Sequence, residues 1–233
     1  MRVVKDIDPD EWRELIELER EAIRHHLLPP ALATYQLLVG EDLRSPRLLY
    51  RDISRSWVRN AYIHALDAVI QMSIPTQYRF YGTGGLYMRS IDSYDRSPPI
   101  FTSSEDYIYV GSTGDNSRGP VAGTGTDPES FGSWRLSSII PHGTGTGQMS
   151  YGNTSYTYSW STSDRRFSAA YVRNLLNISG SAIGVREVGL YMLCSYYDSY
   201  RLMAIRDLLS STITVNHGEQ LQITYTLYGP AIP

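Results

Sequence analysis

From Gln220 onward the chain alternates strictly between apolar and polar residues, with Leu221, Ile223, Tyr225 and Leu227 on one side and Gln222, Thr224, Thr226 and Tyr228 on the other. A period of two is the pattern of a strand buried on one face only. A slip of one residue would turn its apolar set to solvent, so the register of this segment is well specified. Asn216-His217-Gly218-Glu219 supplies the turn before it, because Asn and Gly tolerate positive φ. Upstream, the runs beginning at Ser179, Arg201 and Ser211 repeat the theme of short apolar alternation broken by turn residues. The pattern is a β meander without catalytic equipment.

Short runs rich in Tyr, Ser, Thr, Val and Ile extend this grammar back to Pro75. They predict strands over 77–81, 86–91, 107–110, 134–140, 149–160, 167–178, 182–193, 201–208, 212–215 and 220–228. Many short strands with regular turn signals indicate an antiparallel sandwich or barrel rather than βαβ units. Between Gly111 and Gly147 the chain is rich in Gly, Ser and Thr, too polar and flexible for core, and is expected to form surface loops around the Trp134 strand.

Before Pro75 the spacing predicts helices. Asp8-Pro9 is an N-terminal cap followed by proline in the first turn, and Trp12, Leu15, Ile16, Leu18, Ile23 and Leu27 recur at helical intervals up to Pro29-Pro30. A short apolar helix is expected from Ala31 to Val39, ended by Gly40, and a long one from Pro46 through Met72. The expected class is α+β, with an N-terminal helical docking region (1–74) followed by an antiparallel β-sandwich domain of jelly-roll or immunoglobulin-like type (75–233) carrying loops at about 111–147.

The strand containing Arg186-Glu187-Val188-Gly189-Leu190-Tyr191, the strand Leu202-Met203-Ala204-Ile205-Arg206-Asp207 and the closing strand from Thr214 to Leu227 resemble the C-terminal β domain of many tailed-bacteriophage virion proteins. The resemblance covers roughly residues 167 to 229 and brings no catalytic residue with it. It implies a structural component of the tail, neck, baseplate, fibre or head surface, made in the host cytoplasm and located in the virion. Its partners would be its own copies in a symmetric homo-oligomer and other virion proteins.

Composition bears on the partners. There are 19 tyrosines against 4 phenylalanines, and Lys5 is the sole lysine among the basic residues. Tyr and Arg offer rigid, hydrogen-bonding contact area and are enriched at interface hot spots, although a genome preferring Arg codons would give the same Arg bias. A formal net charge of -3 argues against nucleic acid as the principal partner. No apolar run approaches the roughly 20 residues of a membrane span, and the first residues lack the apolar core of a signal peptide. The lone cysteine, Cys194, rules out an intrachain disulfide and reads as a buried apolar residue.

The candidate functional residues are interface residues. In the helical reading Arg47, Arg51, Arg55 and Arg59 align on one face beside Trp57, either as a solvated stripe balanced by Glu41, Asp42 and Asp52 or as a docking surface. Trp134, Tyr156, Tyr158 and Trp160 form aromatic patches suited to a neighbouring subunit or to sugar stacking. Arg186-Glu187 and Arg206-Asp207 put opposite charges on adjacent residues of apolar strands. One of each pair must face inward or toward a partner, and Glu187 with Arg206 would lock the register of two strands.

No chemistry emerges beyond this. Gly82-Thr-Gly-Gly and Gly143-Thr-Gly-Thr-Gly lack the Lys-Ser/Thr and the strand-to-helix setting of a phosphate loop. There is no Gly-x-Ser-x-Gly elbow, adjacent His25 and His26 point to different helix faces, and the carboxylates near Glu105, Asp127, Glu129 and Asp164 fall in loops. No enzyme activity, cofactor or metal is expected.

Overall fold

A computed structural model of the chain describes residues 8–24, 32–41, 44, 46–54, 56, 80–81, 87–88, 109–194 and 200–229. They form one helix, α1 (Pro9–Arg24), and ten strands: β1 (Leu32–Gly40), β2 (Arg47–Ile53), β3 (Phe80–Tyr81), β4 (Tyr87–Met88), β5 (Gly119–Gly123), β6 (Ser150–Ser161), β7 (Arg166–Leu176), β8 (Ile183–Cys194), β9 (Tyr200–Val215) and β10 (Gln220–Tyr228). A five-stranded antiparallel sheet has the order β2-β1-β10-β7-β6, and a three-stranded antiparallel sheet the order β5-β8-β9; β3 and β4 pair with each other. The two larger sheets share one hydrophobic core. Tyr35, Leu37 and Val39 of β1, Ile223 and Tyr225 of β10 and Tyr171 and Leu175 of β7 meet Val185, Val188 and Leu190 of β8 and Ile205 and Ile213 of β9.

This architecture corrects the expected α+β class. The described chain is mostly strand with a single short helix, and the segments read as second and third helices begin as β1 and β2. In β1 the residues Ala33, Tyr35, Leu37 and Val39 are buried on alternate positions, a period of two hidden under helix-favouring Ala, Leu and Gln. In β2 the pairing shifts register between Leu37 and Leu38 of β1, so that Leu49 is left over. That bulge places Leu48 and Leu49 side by side and obscures the alternation. The remainder of the third predicted helix, 57–72, lies outside the described residues.

Burial by the second sheet makes β1 a strand. It pairs with β10 over nine residues, Leu32 with Tyr228 through Gly40 with Gln220, and inserts its apolar face into the common core. The strands expected at 149–160, 167–178, 182–193 and 220–228 are present as β6, β7, β8 and β10, and those at 201–208 and 212–215 run together as β9. The segment 134–140 is no strand. It makes one isolated bridge, Ile139 to Gly123, whereas Gly119-Pro-Val-Ala-Gly, within the stretch read as loop, is the fully buried edge strand β5.

The helix start is as expected. Asp8 Oδ1 accepts from the Asp10 amide at 2.9 Å and from that of Glu11 at 3.4 Å, while Pro9 needs no partner for its nitrogen. The helix packs on the outer face of the five-stranded sheet, where the Trp12 ring meets Tyr228 edge-on at 5.3 Å.

Candidate functional site

The Gly/Ser/Thr-rich stretch is fastened to the sandwich by two buried guanidinium groups. The first belongs to Arg206. Its Nε donates to Glu187 Oε2 at 2.8 Å, both side chains being almost wholly buried, and its Nη atoms donate to the carbonyls of Pro128 (3.1 Å) and Asp127 (2.8 Å). Glu187 is equally satisfied. Its Oε1 accepts from the amides of Ser138 (2.8 Å) and Gly125 (3.2 Å), and its Oε2 accepts from that of Ser137 at 3.2 Å. The pair spans β8 and β9 diagonally, since Glu187 sits opposite Leu208 and Arg206 opposite Gly189. It holds both limbs of the 124–138 loop at once. A Cβ on Gly125 would overlap Ser137 Oγ and Glu187 Oε1, so only glycine lets the backbone come this close.

Arg173 is the second clasp and has no carboxylate partner in contact. Fully buried on β7, it donates to the carbonyls of Gly152 (2.8 Å), Arg118 (2.6 Å) and Ser112 (2.7 Å), and its guanidinium lies 5.0 Å from the centre of the Tyr151 ring. Burial lowers its pKa to about 10, which leaves it a cation at neutral pH. The sequence carried its signal: Arg173 occupies an inward position in the series Ala169, Tyr171, Arg173, Leu175.

Asp207 points the other way from Arg206, into the core between the sheets, where Tyr225 donates its hydroxyl to Asp207 Oδ2 at 2.9 Å. Burial without a cation in contact raises its pKa to about 8, with the negative charges of Glu129 and Asp52 adding to the rise and the hydrogen bond from Tyr225 opposing it. The same desolvation, and Asp207 itself, push the Tyr225 phenol well above its usual range. In the unfolded chain the carboxyl loses its proton near 3.8, in the folded chain near 8. Between these values the folded state holds one more proton, so stability falls as pH rises through the window. Asp207→Asn is expected to flatten the dependence of melting temperature on pH between about 4 and 8 and to raise stability at pH 9 by a few kcal/mol, as a thermal denaturation series across pH would register.

On β6 the bulge between Tyr151 and Thr154 sets the following residues in register with β7: Tyr156 faces Tyr171, Tyr158 faces Ala169 and Trp160 faces Phe167. All three aromatics therefore share the inner face of the sheet. Tyr156 and Tyr158 lie 5.3 Å apart, Tyr158 stacks on Phe167 at 5.5 Å, and the row ends at Trp160, whose side chain is 48% exposed. β6 is an edge of its sheet among the described residues, and its twelve residues carry no charge.

The other expected interface residues are dispersed. Arg47 and Arg51 form no stripe, because the bulge at Leu49 places them opposite Val39 and Gln36, which face opposite sides of the sheet. Arg47 pairs with Glu219 at 2.7 Å, and Arg51 donates to Gln36 Oε1 at 3.4 Å. Arg55, Trp57 and Arg59 lie outside the described residues. Trp134 is half-buried under the Arg135 guanidinium, 4.3 Å from its ring centre, and Arg186 donates to Thr212 Oγ1 at 3.1 Å. Glu187 and Arg206, buried against each other, hold the fold together and present nothing to a neighbour. Among the described residues no group of three or more His, Cys, Asp or Glu side chains is placed to hold a metal ion. Comparison with protein-family models, with curated proteins and with solved structures gave no match.

Proposed function

We propose that this chain is a structural component of a tailed phage particle, of the neck, tail or baseplate, that works through contacts with its own copies and with other virion proteins. The observation that carries the reading is β6: a long, charge-free edge strand next to a row of tyrosines that opens onto the exposed Trp160. Edge strands of monomeric proteins are ordinarily protected by charge, proline or brevity. The first residues of β6 are bulged and covered by the 111–114 segment, whose Gly114 amide donates to the Tyr151 carbonyl and whose Gly111 carbonyl accepts from the Thr154 amide. From Ser155 to Ser161, however, the strand has neither charge nor proline, so this part is suited to burial against a neighbour. The C-terminal strands on which the phage resemblance rests support the same reading, although they form no meander: β7 and β10 pair in the five-stranded sheet, and β8 and β9 in the three-stranded one.

The test is the mass of the full chain in solution, by light scattering over a concentration series. A defined oligomer is expected, and Thr157→Lys, which puts a charge at an exposed position of β6, is expected to shift it toward monomer at unchanged melting temperature. A monomer at every concentration, or an oligomer indifferent to the added charge, would remove β6 as the contact. The second reading is a receptor- or carbohydrate-binding module on the virion surface, favoured by the exposed Trp160 ring, which suits stacking on a sugar face.

A further inference from the structure

Between helix α1 and the outer face of the five-stranded sheet lies a cavity of about 330 Å³, lined by Trp12, Ile16, Arg20, Thr34, Asp164, Arg166 and Tyr228. Its lining comes from four separate parts of the chain: the helix, the start of β1, the turn from β6 into β7, and the end of β10. The volume is at the small end of the range for ligand sites, the size of a single ring with its substituents.

The lining has three kinds of recognition chemistry. Arg20 and Arg166 bring two guanidinium groups, the side chain suited to forked hydrogen bonding of a carboxylate or other planar anion. Arg166 is only 5% exposed and its guanidinium lies 5.9 Å from the centre of the Tyr228 ring, so packing fixes where that charge sits. Asp164 adds a carboxylate, itself held by the Ser161 hydroxyl at 2.7 Å. A carboxylate beside two arginines repels a polyanion but accepts hydrogen bonds from hydroxyl groups, and Thr34 Oγ1 and Tyr228 Oη, 3.4 Å apart, add two more hydroxyls. The edge-on Trp12–Tyr228 pair supplies an apolar wall on which the C–H face of a ring can lie.

We propose that this cavity is a binding site for one acidic sugar unit, a pyranose carrying a single carboxylate and several hydroxyls. The carboxylate lies against Arg20 and Arg166, the hydroxyls are taken by Asp164, Thr34 and Tyr228, and the ring packs on Trp12. The site is separate from the Trp160 row and depends on neither reading given above.

The experiment is saturation-transfer NMR and titration of the full chain with glucuronic acid, galacturonic acid and N-acetylneuraminic acid, with glucose and inorganic sulfate as controls. At least one acidic sugar is expected to bind saturably in the millimolar range and better than glucose. Arg20 is exposed, so Arg20→Gln should leave the melting temperature unchanged and weaken that binding about tenfold, the loss of one charged hydrogen bond. Trp12→Ala is expected to abolish transfer to the ring protons. If none of the three acids binds, or if the binding is indifferent to both substitutions, the site is overturned. Glucose binding as tightly as the acids would overturn the role of the arginines, and sulfate binding as tightly would overturn the sugar in favour of a plain anion.

Discussion

A chain beginning at Pro75 is expected to be insoluble or unfolded by circular dichroism, although the composition change there reads as a domain boundary. Strands β1 and β2 lie on the removed side and occupy two of the five places in the larger sheet. Their loss strips a nine-residue ladder from β10. It also takes Leu32, Leu37, Val39 and Ile53 out of the interior, each no more than 3% exposed. Burying four such side chains contributes roughly 6–12 kcal/mol, before Tyr35 and Tyr50 are counted. That is comparable with the whole stability of an ordinary domain, about 5–15 kcal/mol. The bared edge of β10 would in addition invite intermolecular pairing. A cooperative thermal transition in the 75–233 fragment would refute this.

Glu187→Gln is expected to be the most damaging single substitution of a polar residue. Glutamine retains one acceptor oxygen where the carboxylate serves three amides and Arg206, and it leaves the buried guanidinium without a counter-charge. Breaking a buried pair by removing one partner costs about 3–5 kcal/mol, which for a chain of this size lowers the melting temperature by roughly 6–20 °C. Replacing both residues by methionine should recover part of the loss, because no uncompensated charge remains. Calorimetry of Glu187→Met, Arg206→Met and the double variant measures the coupling, and limited proteolysis reports the loop: cleavage should accelerate between Gly125 and Ser138 in Glu187→Gln. Additive single-variant effects would show that the pair is not a unit.

How far these features could be read in advance depended on how local their causes are. The alternation of β10 is written in nine consecutive residues, and both ends of the strand fall where the sequence puts them. The cross-strand pairing of Glu187 with Arg206 was legible because a charge in an apolar strand needs a partner and few were on offer. Arg173 carries the same signal, but its partners are backbone carbonyls that no residue pattern announces. β1 reads as a helix because Leu, Ala and Gln favour one locally, and only the sheet it enters, completed by residues almost two hundred positions later, makes it a strand. β2 was obscured by its bulge. β5 was hidden by Gly and Pro, tolerable on a sheet edge and small enough to let Tyr151 reach the carbonyl of Ala122. The cavity under α1 had no trace in the sequence, since its lining residues are brought together only by folding.

The pairing of β1 with β10 also bears on how the protein responds to force. Leu32, where β1 begins, lies opposite Tyr228, where β10 ends, so the chain enters and leaves this ladder at the same end. Tension applied between the segments flanking the two strands would peel the hydrogen bonds apart in succession instead of shearing them together, the weaker of the two geometries because each step breaks only one or two bonds. The Trp12–Tyr228 contact and the Thr34–Tyr228 hydroxyl pair sit at the point where such peeling would start. Helix α1 thus acts as a latch on the seam, and whatever grips the helix decides whether the sandwich is held shut or unzipped.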